Sequence, residues 1–497
     1  MATAIGKRKR VDAPTKANPV KKVAVKSAQK SAPRLQGKSN RPPQQAETPA
    51  VRSKSDIPIY IQVVTGSYER VLHGLSARIP QSKLDVKQDD TVQNPADEVS
   101  FTNSFLFAAH SSAIRCLALS PPTEADKCLL ATGSSDERIN VYSLSTAPPS
   151  VKAGPHLPSL LGTATVENFR NKSLGSLTHH DRAINTLQFP TKSKLFSAAE
   201  DATISISRTR DWTVLSSIKA PIPKPQGRPS GDTAGPGEVP AGVNDFAVHP
   251  SQKLMLSVGR GERCMRLWNL MTGKKAGVLN FDRDLLIQAG ESKFSSGEGR
   301  RVLWDETGEH YVIGFERGAA LFGIDSKPKA VIRPSSKVHQ MRFLPLPDLE
   351  QSILAISTED GRILFYDVST VKEEIDAAKL PLCPCVAQLG GAAMGISGRV
   401  KDFEIVALKG KANILIVTGS SDGAVRLWTV SGEQLAGEVS EDGPKQVGKL
   451  VATQETGNRI TCLGAFVMDG KASDEDEVEE NGGAEEDEES DDSQGDS

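Results

Sequence analysis

The sequence has little of several features that define common classes of protein. Aromatic residues make up 5% of its 497 residues, and it contains six cysteines. So few cysteines in so long a chain exclude a disulfide-stapled scaffold. We interpret all six as reduced thiols that mostly fill the core. They are Cys116, Cys128, Cys264, Cys383, Cys385 and Cys462.

Long apolar runs and catalytic signatures are missing as well. No run of about 18 apolar residues occurs, and the charged start MATAIGKRKR lacks the apolar core of a secretory signal. The sequence has no GxxxxGK[ST] phosphate loop, no HExxH and no GxSxG. Cys383 and Cys385 lack the spacing and the partner pair of a zinc site. The sequence predicts a soluble, non-enzymatic protein with no cofactor, metal or small-molecule substrate and no contact with a membrane.

Charge is abundant but segregated along the chain. The 60 Lys+Arg and 62 Asp+Glu nearly cancel to a net charge of −2. Residues 1–54 hold 14 basic and two acidic residues, a net +12, whereas residues 472–497 hold 14 acidic residues and no basic one, a net −14. The body between them, 55–471, is neutral. This distribution predicts that the two ends interact with charged partners.

The basic end is too poor in apolar residues to fold by itself, and we predict a disordered arm over 1–54. Two short basic clusters in it are ten residues apart, the arrangement of a bipartite nuclear-import signal. A general RNA-binding arm is a compatible alternative. The candidate import residues are Lys9, Arg10, Lys21, Lys22 and Lys26.

The acidic end is a block of like charge, which predicts a disordered, solvated tail over 472–497. Ser473 and Ser493 each have an acidic residue three positions later, the spacing that acid-directed kinases favour. Phosphorylation would add about −1.5 to −2 charges at each serine. A tail that only improves solubility is the alternative interpretation.

Between the ends, one pattern of short apolar runs and polar turns recurs. Each unit has an apolar alternating run, a polar turn, a second β-branched run, a tight Gly/Ser-Asp turn and a third run that ends near an aromatic residue. The tight second turn is typical of a β-hairpin. The units span 110–144, 180–207, 243–270, 300–324, 338–368 and 400–430.

The register of five units supports the repeat. We take Gly133, Ala198, Gly259, Ser357 and Gly419 as equivalent. The residue three positions later is then acidic in every unit, and the residue nine positions later is aromatic in four of the five. The acidic residues are Asp136, Asp201, Glu262, Asp360 and Asp422, and the later positions hold Tyr142, Ser207, Trp268, Tyr366 and Trp428.

These units resemble WD repeats, each of which forms a four-stranded blade of a β-propeller. The resemblance implies a hydrogen-bonded set of a leading His, a Ser or Thr, the turn Asp and an aromatic residue in each blade. In the first unit the set is His110, Thr132, Asp136 and Tyr142; in the second it is His180, Ser197 and Asp201, with Ser207 in the aromatic position; in the sixth it is Thr418, Asp422 and Trp428, with Arg399 near the expected His.

The two ends of the body complement each other. The run IYIQVVTGSYERVLHGL, which begins at Ile59, aligns with the second half of a repeat, and residues 458–468 align with the first strand of one. Joined together, they predict a seventh blade that closes the ring and leaves no open sheet edge. We therefore predict one all-β domain over 55–471, a seven-bladed propeller with contact loops at 76–100, 145–177, 217–241 and 371–398.

Two groups of residues are candidates for chemistry or binding. His110 and His180, each paired with an Asp, have the form of an oriented general base, but in a WD repeat this pairing is structural. Five arginines form a candidate basic sector for RNA phosphate or an acidic protein surface, and ordinary solvated charge is the alternative. They are Arg208, Arg210, Arg260, Arg263 and Arg266.

The segments GSYERVLHG, HSSAIRCLAL and VGRGERCMRLW are similar to those of a nucleolar WD-repeat family named for the p21-activated-kinase-interacting protein, whose fungal members are the maintenance-of-killer WD proteins. The resemblance spans about 55–470. It implies a nuclear, mainly nucleolar assembly factor of the large ribosomal subunit, whose partners are pre-ribosomal proteins, assembly factors and, through the basic arm, rRNA.

The same resemblance implies a second role, inhibition of a p21-activated protein kinase. A kinase regulator is therefore the main alternative to an assembly factor. A histone chaperone is a third hypothesis, which fits the acidic tail better than the basic arm.

Overall fold

The structure, a computed structural model, describes residues 58–84, 98–122, 126–148, 168, 170–222, 241–345, 351–370, 379–408, 413–436 and 443–469. Most of these residues lie in β-strands that form seven sheets. In each sheet, four antiparallel strands succeed one another from the inside of the ring outwards. The predicted seven-bladed propeller is confirmed.

The first four blades are built as follows, from the innermost strand to the outermost. Blade 1 comprises β29 (Ile460–Val467), β1 (Ile59–Ser67), β2 (Val71–Ile79) and β3 (Ser100–Ala108). Blade 2 comprises β4 (Ile114–Leu119), β5 (Lys127–Ser134), β6 (Ile139–Ser145) and β7 (Lys172–Leu177). Blade 3 comprises β8 (Ile184–Thr191), β9 (Lys194–Ala199), β10 (Thr203–Arg208) and β11 (Val214–Lys219). Blade 4 comprises β12 (Val243–Val248), β13 (Leu254–Gly259), β14 (Cys264–Asn269) and β15 (Lys274–Asn280).

The remaining blades follow the same plan. Blade 5 comprises β16 (Arg301–Trp304), β17 (His310–Gly314), β18 (Ala319–Gly323) and β19 (Pro328–Ile332). Blade 6 comprises β20 (Val338–Phe343), β21 (Ile353–Thr358), β22 (Arg362–Asp367) and β23 (Cys385–Gly390), and the two-residue β27 (Lys445–Gln446) pairs with β23 in parallel. Blade 7 comprises β24 (Val400–Ala407), β25 (Asn413–Ser420), β26 (Ala424–Ser431) and β28 (Lys449–Glu455). Helix α1 (Arg283–Gln288) precedes blade 5, and α2 (Gly432–Leu435) follows β26.

The core lies between the blades. Seven apolar clusters each join two neighbouring blades, so that every junction of the ring has its own core. The alternation of side chains along each strand makes this possible, because successive residues point to opposite faces of the sheet. In β21, for example, Leu354 packs towards blade 5 and Ala355 towards blade 7.

Blade 1 joins strands that are distant in the sequence. β29 pairs with β1 in antiparallel register from Ile61 opposite Val467 onwards, and Met468 donates its backbone N–H to the carbonyl of Tyr60 at 2.8 Å. This pairing leaves no open edge at the junction where the ring would otherwise split.

The predicted contact loops contain regular structure in part. The segment 145–177 ends in β7, and 371–398 contains β23. β7 is the outermost strand of blade 2 and is exposed at five of its six residues, whereas β23 is mostly buried and has β27 at its outer edge. An exposed outer strand such as β7 has no need of apolar alternation, which is why the sequence pattern did not reveal it.

The ring has two faces, which differ in the turns that they carry. The upper face carries the turns between the second and third strand of each blade, such as residues 200–202 of blade 3. The lower face carries the turns between the first and second strand and between the third and fourth strand, such as residues 192–193 and 209–213 of the same blade.

Candidate functional site

The candidate import residues Lys9, Arg10, Lys21, Lys22 and Lys26 and the candidate phosphosites Ser473 and Ser493 lie outside the described residues. Their roles remain predictions. The other candidate residues lie in the propeller.

In blade 2 the structure brings the predicted set together. His110 donates from Nδ1 to the carboxylate of Asp136 at 3.1 Å, and the hydroxyl of Thr132 donates to His110 Nε2 at 2.9 Å. Tyr142, the fourth residue of the predicted set, is 9% exposed, and its ring packs 5.8 Å from that of Phe107. Burial lowers the pKa of His110 more than the neighbouring Asp136 raises it, so the ring is held neutral. The set ties the loop before β4 to the turn between β5 and β6.

Blade 3 repeats this arrangement without the aromatic residue. His180 donates from Nδ1 to Asp201 at 2.9 Å, and the hydroxyl of Ser197 donates to His180 Nε2 at 2.8 Å. Burial opposes ionisation of Asp201, but hydrogen bonds from His180 and Thr203 outweigh it and lower the pKa of the carboxyl to about 2.

In blade 3 a second histidine, His179, supplies the hydrogen-bond donor that the missing aromatic residue would provide. Ser207 occupies the predicted aromatic position, is 1% exposed, and its hydroxyl has no hydrogen-bond partner. The donor is supplied instead by His179, whose Nε2 lies 3.2 Å from Ser197 Oγ and whose ring packs 4.7 Å from that of His180. Burial and the neighbouring His180 lower the pKa of His179 to about 4. The repeat pattern did not single out His179, although the adjacent pair of His179 and His180 is visible in the sequence.

Blade 7 has the aromatic residue but lacks the histidine. Trp428 donates from Nε1 to Thr418 Oγ1 at 3.2 Å, and Asp422 pairs with Arg426 at 3.0 Å. Arg399, which stands near the expected position of the His, pairs with Glu359 of blade 6 at 3.3 Å. Its guanidinium therefore links two blades instead of completing the set within one.

Blade 4 corrects the predicted register by one residue. Trp268 donates to Ser257 Oγ at 2.7 Å, and Ser257 pairs with Arg266 as Thr418 pairs with Arg426 in blade 7. The equivalent of Gly419 is therefore Val258 and not Gly259, as the repeat register had predicted. The turn has one extra residue, which Gly261 accommodates with a φ of +72°.

The histidine–aspartate pairs cannot meet a substrate in this geometry. The side chains of His110 and His180 have no exposed surface, and each is bonded at both ring nitrogens to groups of its own blade. A general base needs a reacting proton within hydrogen-bond reach. The arrangement instead supports the structural role that the resemblance implies.

The five candidate arginines do not form one sector. Arg260 and Glu200, which lies in the upper turn of blade 3, pair at 3.0 Å, whereas Arg208 lies at the opposite end of β10 from that turn. Arg208 and Arg210 therefore belong to the lower face, and the other three arginines belong to the upper side. The prediction placed them together because it grouped residues by turn without following the direction of the strands.

Two of the three upper arginines are paired with carboxylates, and the third is held by backbone carbonyls. Arg260 shares Glu200 with Arg115, Arg263 donates to the carbonyl of Ser296 at 2.8 Å, and Arg266 makes two hydrogen bonds to Glu262 and is 6% exposed. Paired and partly buried guanidinium groups such as those of Arg260 and Arg266 have little capacity left for phosphate, whereas Arg263 is exposed.

Two buried aspartates that the repeat pattern did not reveal join neighbouring blades. Asp245 accepts the backbone N–H of Val302 in blade 5 at 3.1 Å, and Asp402 accepts that of Leu463 in blade 1 at 2.9 Å. Both are 8% exposed and occupy the third position of an inner strand, directly after a bulge. A carboxylate that satisfies a buried N–H of the next blade fixes the angle between the two.

Metal-binding clusters and membrane-spanning helices are both missing from the described residues. These residues contain no group of three or more His, Cys, Asp and Glu that could hold a metal ion. Nor does the described part of the chain contain a helix long and apolar enough to cross a membrane.

The comparison with protein families agrees with the blades. The family model "WD domain, G-beta repeat" matches residues 101–143 and 171–206, each match running from the outer strand of one blade into the third strand of the next. These two segments are WD repeats. The predicted resemblance to WD repeats is thereby confirmed.

Three relatives match most of the length of this chain. It is 25% identical over 408 residues to the p21-activated protein kinase-interacting protein 1-like of Gallus gallus, 82% of this chain and 80% of the relative. It is 26% identical to Protein MAK11 of Saccharomyces cerevisiae, 81% and 82% of the two chains. It is 24% identical to Shk1 kinase-binding protein 15 of Schizosaccharomyces pombe, 82% and 85%. These matches confirm the resemblance to the family named for the p21-activated-kinase-interacting protein.

Proposed function

We propose that this WD-repeat protein is a non-enzymatic scaffold that assembles precursors of the large ribosomal subunit in the nucleolus. The observation that carries the proposal is the segregation of charge, with +12 before a closed, neutral ring and −14 after it. Assemblies of RNA with basic proteins offer partners for both signs at once. The family resemblance of the sequence points to the same process.

Each part of the chain has a role in this proposal. The ring offers two rigid faces on which assembly factors and ribosomal proteins bind, as loops on a rigid scaffold commonly do. The basic arm directs import and contacts rRNA phosphate, and the acidic tail shields basic partners until they reach their RNA. Ionic contacts of this kind weaken with added salt.

Affinity purification of the tagged full chain tests the proposal. We expect pre-rRNA and large-subunit proteins to co-purify at low salt and to be lost at high salt. The matched control carries glutamine at the five candidate import residues, which we expect to keep the protein outside the nucleus and free of pre-rRNA. Recovery of the same pre-rRNA with the control would contradict the proposed role of the arm, and absence of pre-rRNA from both would contradict the function.

A second candidate function is binding and inhibition of a p21-activated protein kinase. It is favoured by the names of two relatives, which describe a kinase-interacting and a kinase-binding protein. A kinase assay with purified components tests it. We expect activity to fall as the full chain is titrated in, and unchanged activity and no binding at saturating protein would remove this candidate.

A further inference from the structure

The lower side of blade 3 carries a compact group of cations, the lower basic cluster, which consists of Lys192, Lys194, Arg208 and Arg210. Two hydrogen bonds of Thr209 hold the two turns together: its N–H donates to Ser193 O at 3.0 Å, and its hydroxyl donates to Lys192 O at 2.8 Å. All four cationic residues are exposed. The cluster is therefore a fixed feature of the folded blade.

Two of these cations face each other at a cost in stability. Lys194 of β9 and Arg208 of β10 are directly opposite in the antiparallel register, and like charges in such a pair destabilise a sheet. Asp211 offers partial relief by pairing with Arg208 at 3.5 Å, but both side chains are more than 40% exposed, so the pair contributes little. A bound anion would remove this repulsion.

The positive surface extends over the neighbouring blades and then stops. Lys127 begins the second strand of blade 2, and Lys253 directly precedes that of blade 4, so three consecutive blades have a lysine at this place together with Lys194. In blade 5 the corresponding turn holds Asp305, and its exposed residues include Glu306 and Glu309. The lower face is therefore basic on one side and acidic on the next blade.

We propose that the lower basic cluster, with the lysines of blades 2 and 4, binds the phosphate backbone of RNA. Lysine and arginine alone suffice for phosphate contacts, which need no apolar partner. A stable protein interface needs apolar or aromatic anchors, and the described lower ends of blades 2 to 4 offer few of them. Met271 is exposed in its turn, and Val214 and Leu215 are exposed where β11 begins. Trp212 is half-buried against the core. This favours a nucleic acid over an acidic protein. The choice of RNA over DNA rests on the proposed function.

Charge reversal in the full chain tests this surface. The probe is a fluorescein-labelled RNA hairpin of mixed sequence, and binding is followed by anisotropy over a range of salt concentrations. All variants carry glutamine at Lys9, Arg10, Lys21, Lys22 and Lys26, which lowers the net charge of the arm from +12 to +7 equally in every variant. In this background Lys194→Glu with Arg210→Glu is compared with Arg283→Glu and Lys293→Glu, an exposed pair at and beside α1 that changes the net charge equally.

We expect the lower-face variant to bind more weakly and to reduce the slope of log affinity against log salt by about 1.5, because each lost phosphate contact removes about 0.7–0.9. The control pair should leave the slope unchanged. The thermal midpoint separates folding from binding: a carboxylate at position 194 faces Arg208, so the variant should be at least as stable as its parent.

Three results would overturn the proposal: no binding by the parent, an equal loss in both variants, or binding to polyglutamate that the lower-face variant loses while RNA binding persists. Tighter binding to a DNA hairpin of the same sequence would overturn the choice of RNA. If the protein binds RNA through this surface but never enters precursor particles, the proposed RNA surface stands and the proposed function is contradicted.

Discussion

Blades 3 and 7 stabilise the same hairpin with different side chains. In blade 3 a buried histidine connects Asp201 to Ser197, and the aromatic position holds Ser207. In blade 7 a buried tryptophan bonds to Thr418, and the aspartate pairs with an arginine on its own hairpin. Each blade lacks what the other uses.

The turn aspartate itself has the same task in both. Asp201 accepts the backbone N–H of Thr203 at 2.8 Å, and Asp422 accepts that of Ala424 at 3.0 Å. The residue after each hairpin turn is thus fixed by a carboxylate, and its second oxygen takes whichever donor is near. Blades 3 and 7 therefore share the aspartate and differ in its other partners.

The largest expected difference concerns the tryptophan. Trp428 is 1% exposed and packs in the core between blades 6 and 7, so Trp428→Ala should lower the free energy of unfolding by about 3–5 kcal/mol. Urea denaturation followed by circular dichroism measures this. A loss below about 1 kcal/mol would mean that blade 7 relies on its Arg426–Asp422 pair instead.

The second largest expected difference in stability concerns the turn aspartates Asp201 and Asp422. The pKa of Asp201 is lowered to about 2 in the folded state, against about 3.9 in an unfolded chain, which corresponds to about 2–3 kcal/mol of stability. This contribution is complete above about pH 4 and is lost as the pH falls towards 2. Asp201→Ala should remove it, whereas Asp422→Ala, at an exposed ion pair, should cost less than about 1 kcal/mol. Equal losses at pH 7 would contradict the comparison.

His179 should make the stability of blade 3 fall in mild acid. The set of blade 7 contains no histidine, so we expect no such fall from it. The folded pKa of His179, about 4, lies below the unfolded value of about 6.5, so the unfolded chain binds the proton first and stability falls with the pH between these values. His179→Gln abolishes this component. The gap in unfolding free energy between the two proteins should therefore shrink from pH 7 to pH 4, and a constant gap would argue against the neutral, half-buried ring.

The smallest expected difference lies between two buried serines of blade 3, Ser197 and Ser207. Ser197 bonds to both His180 and His179, and Ser197→Ala should cost about 1–2 kcal/mol because it leaves buried groups unpaired. The hydroxyl of Ser207 is buried without a partner, so Ser207→Ala should be neutral or slightly stabilising. Chemical denaturation of the two variants side by side checks this order.

The sequence was informative where a residue type repeats at fixed spacing. The turn aspartates and the alternating apolar runs predicted the blades, since their period follows from strand geometry. The extra residue in the turn of blade 4 was missed because Gly259 imitates the glycines at the ends of β5 and β25. Such an insertion shows only in the strand pairing.

The sequence was less informative about which charged residues share a face of the ring. Arg208 ends a third strand, and Arg260 precedes one, so strand direction places them on opposite faces. Lys194 gave no signal of its own, because its position opposite Arg208 depends on the register of the hairpin. Asp245 and Asp402 were missed for a related reason: their partners are backbone groups of another blade, which no local pattern encodes.

Sedimentation of the tagged full chain in a nuclear extract tests the proposed scaffold function most directly. We expect the protein to migrate in a sucrose gradient with precursors of the large ribosomal subunit, and RNase treatment to shift it to the light fractions. Migration only with free protein, before and after RNase, would contradict that function.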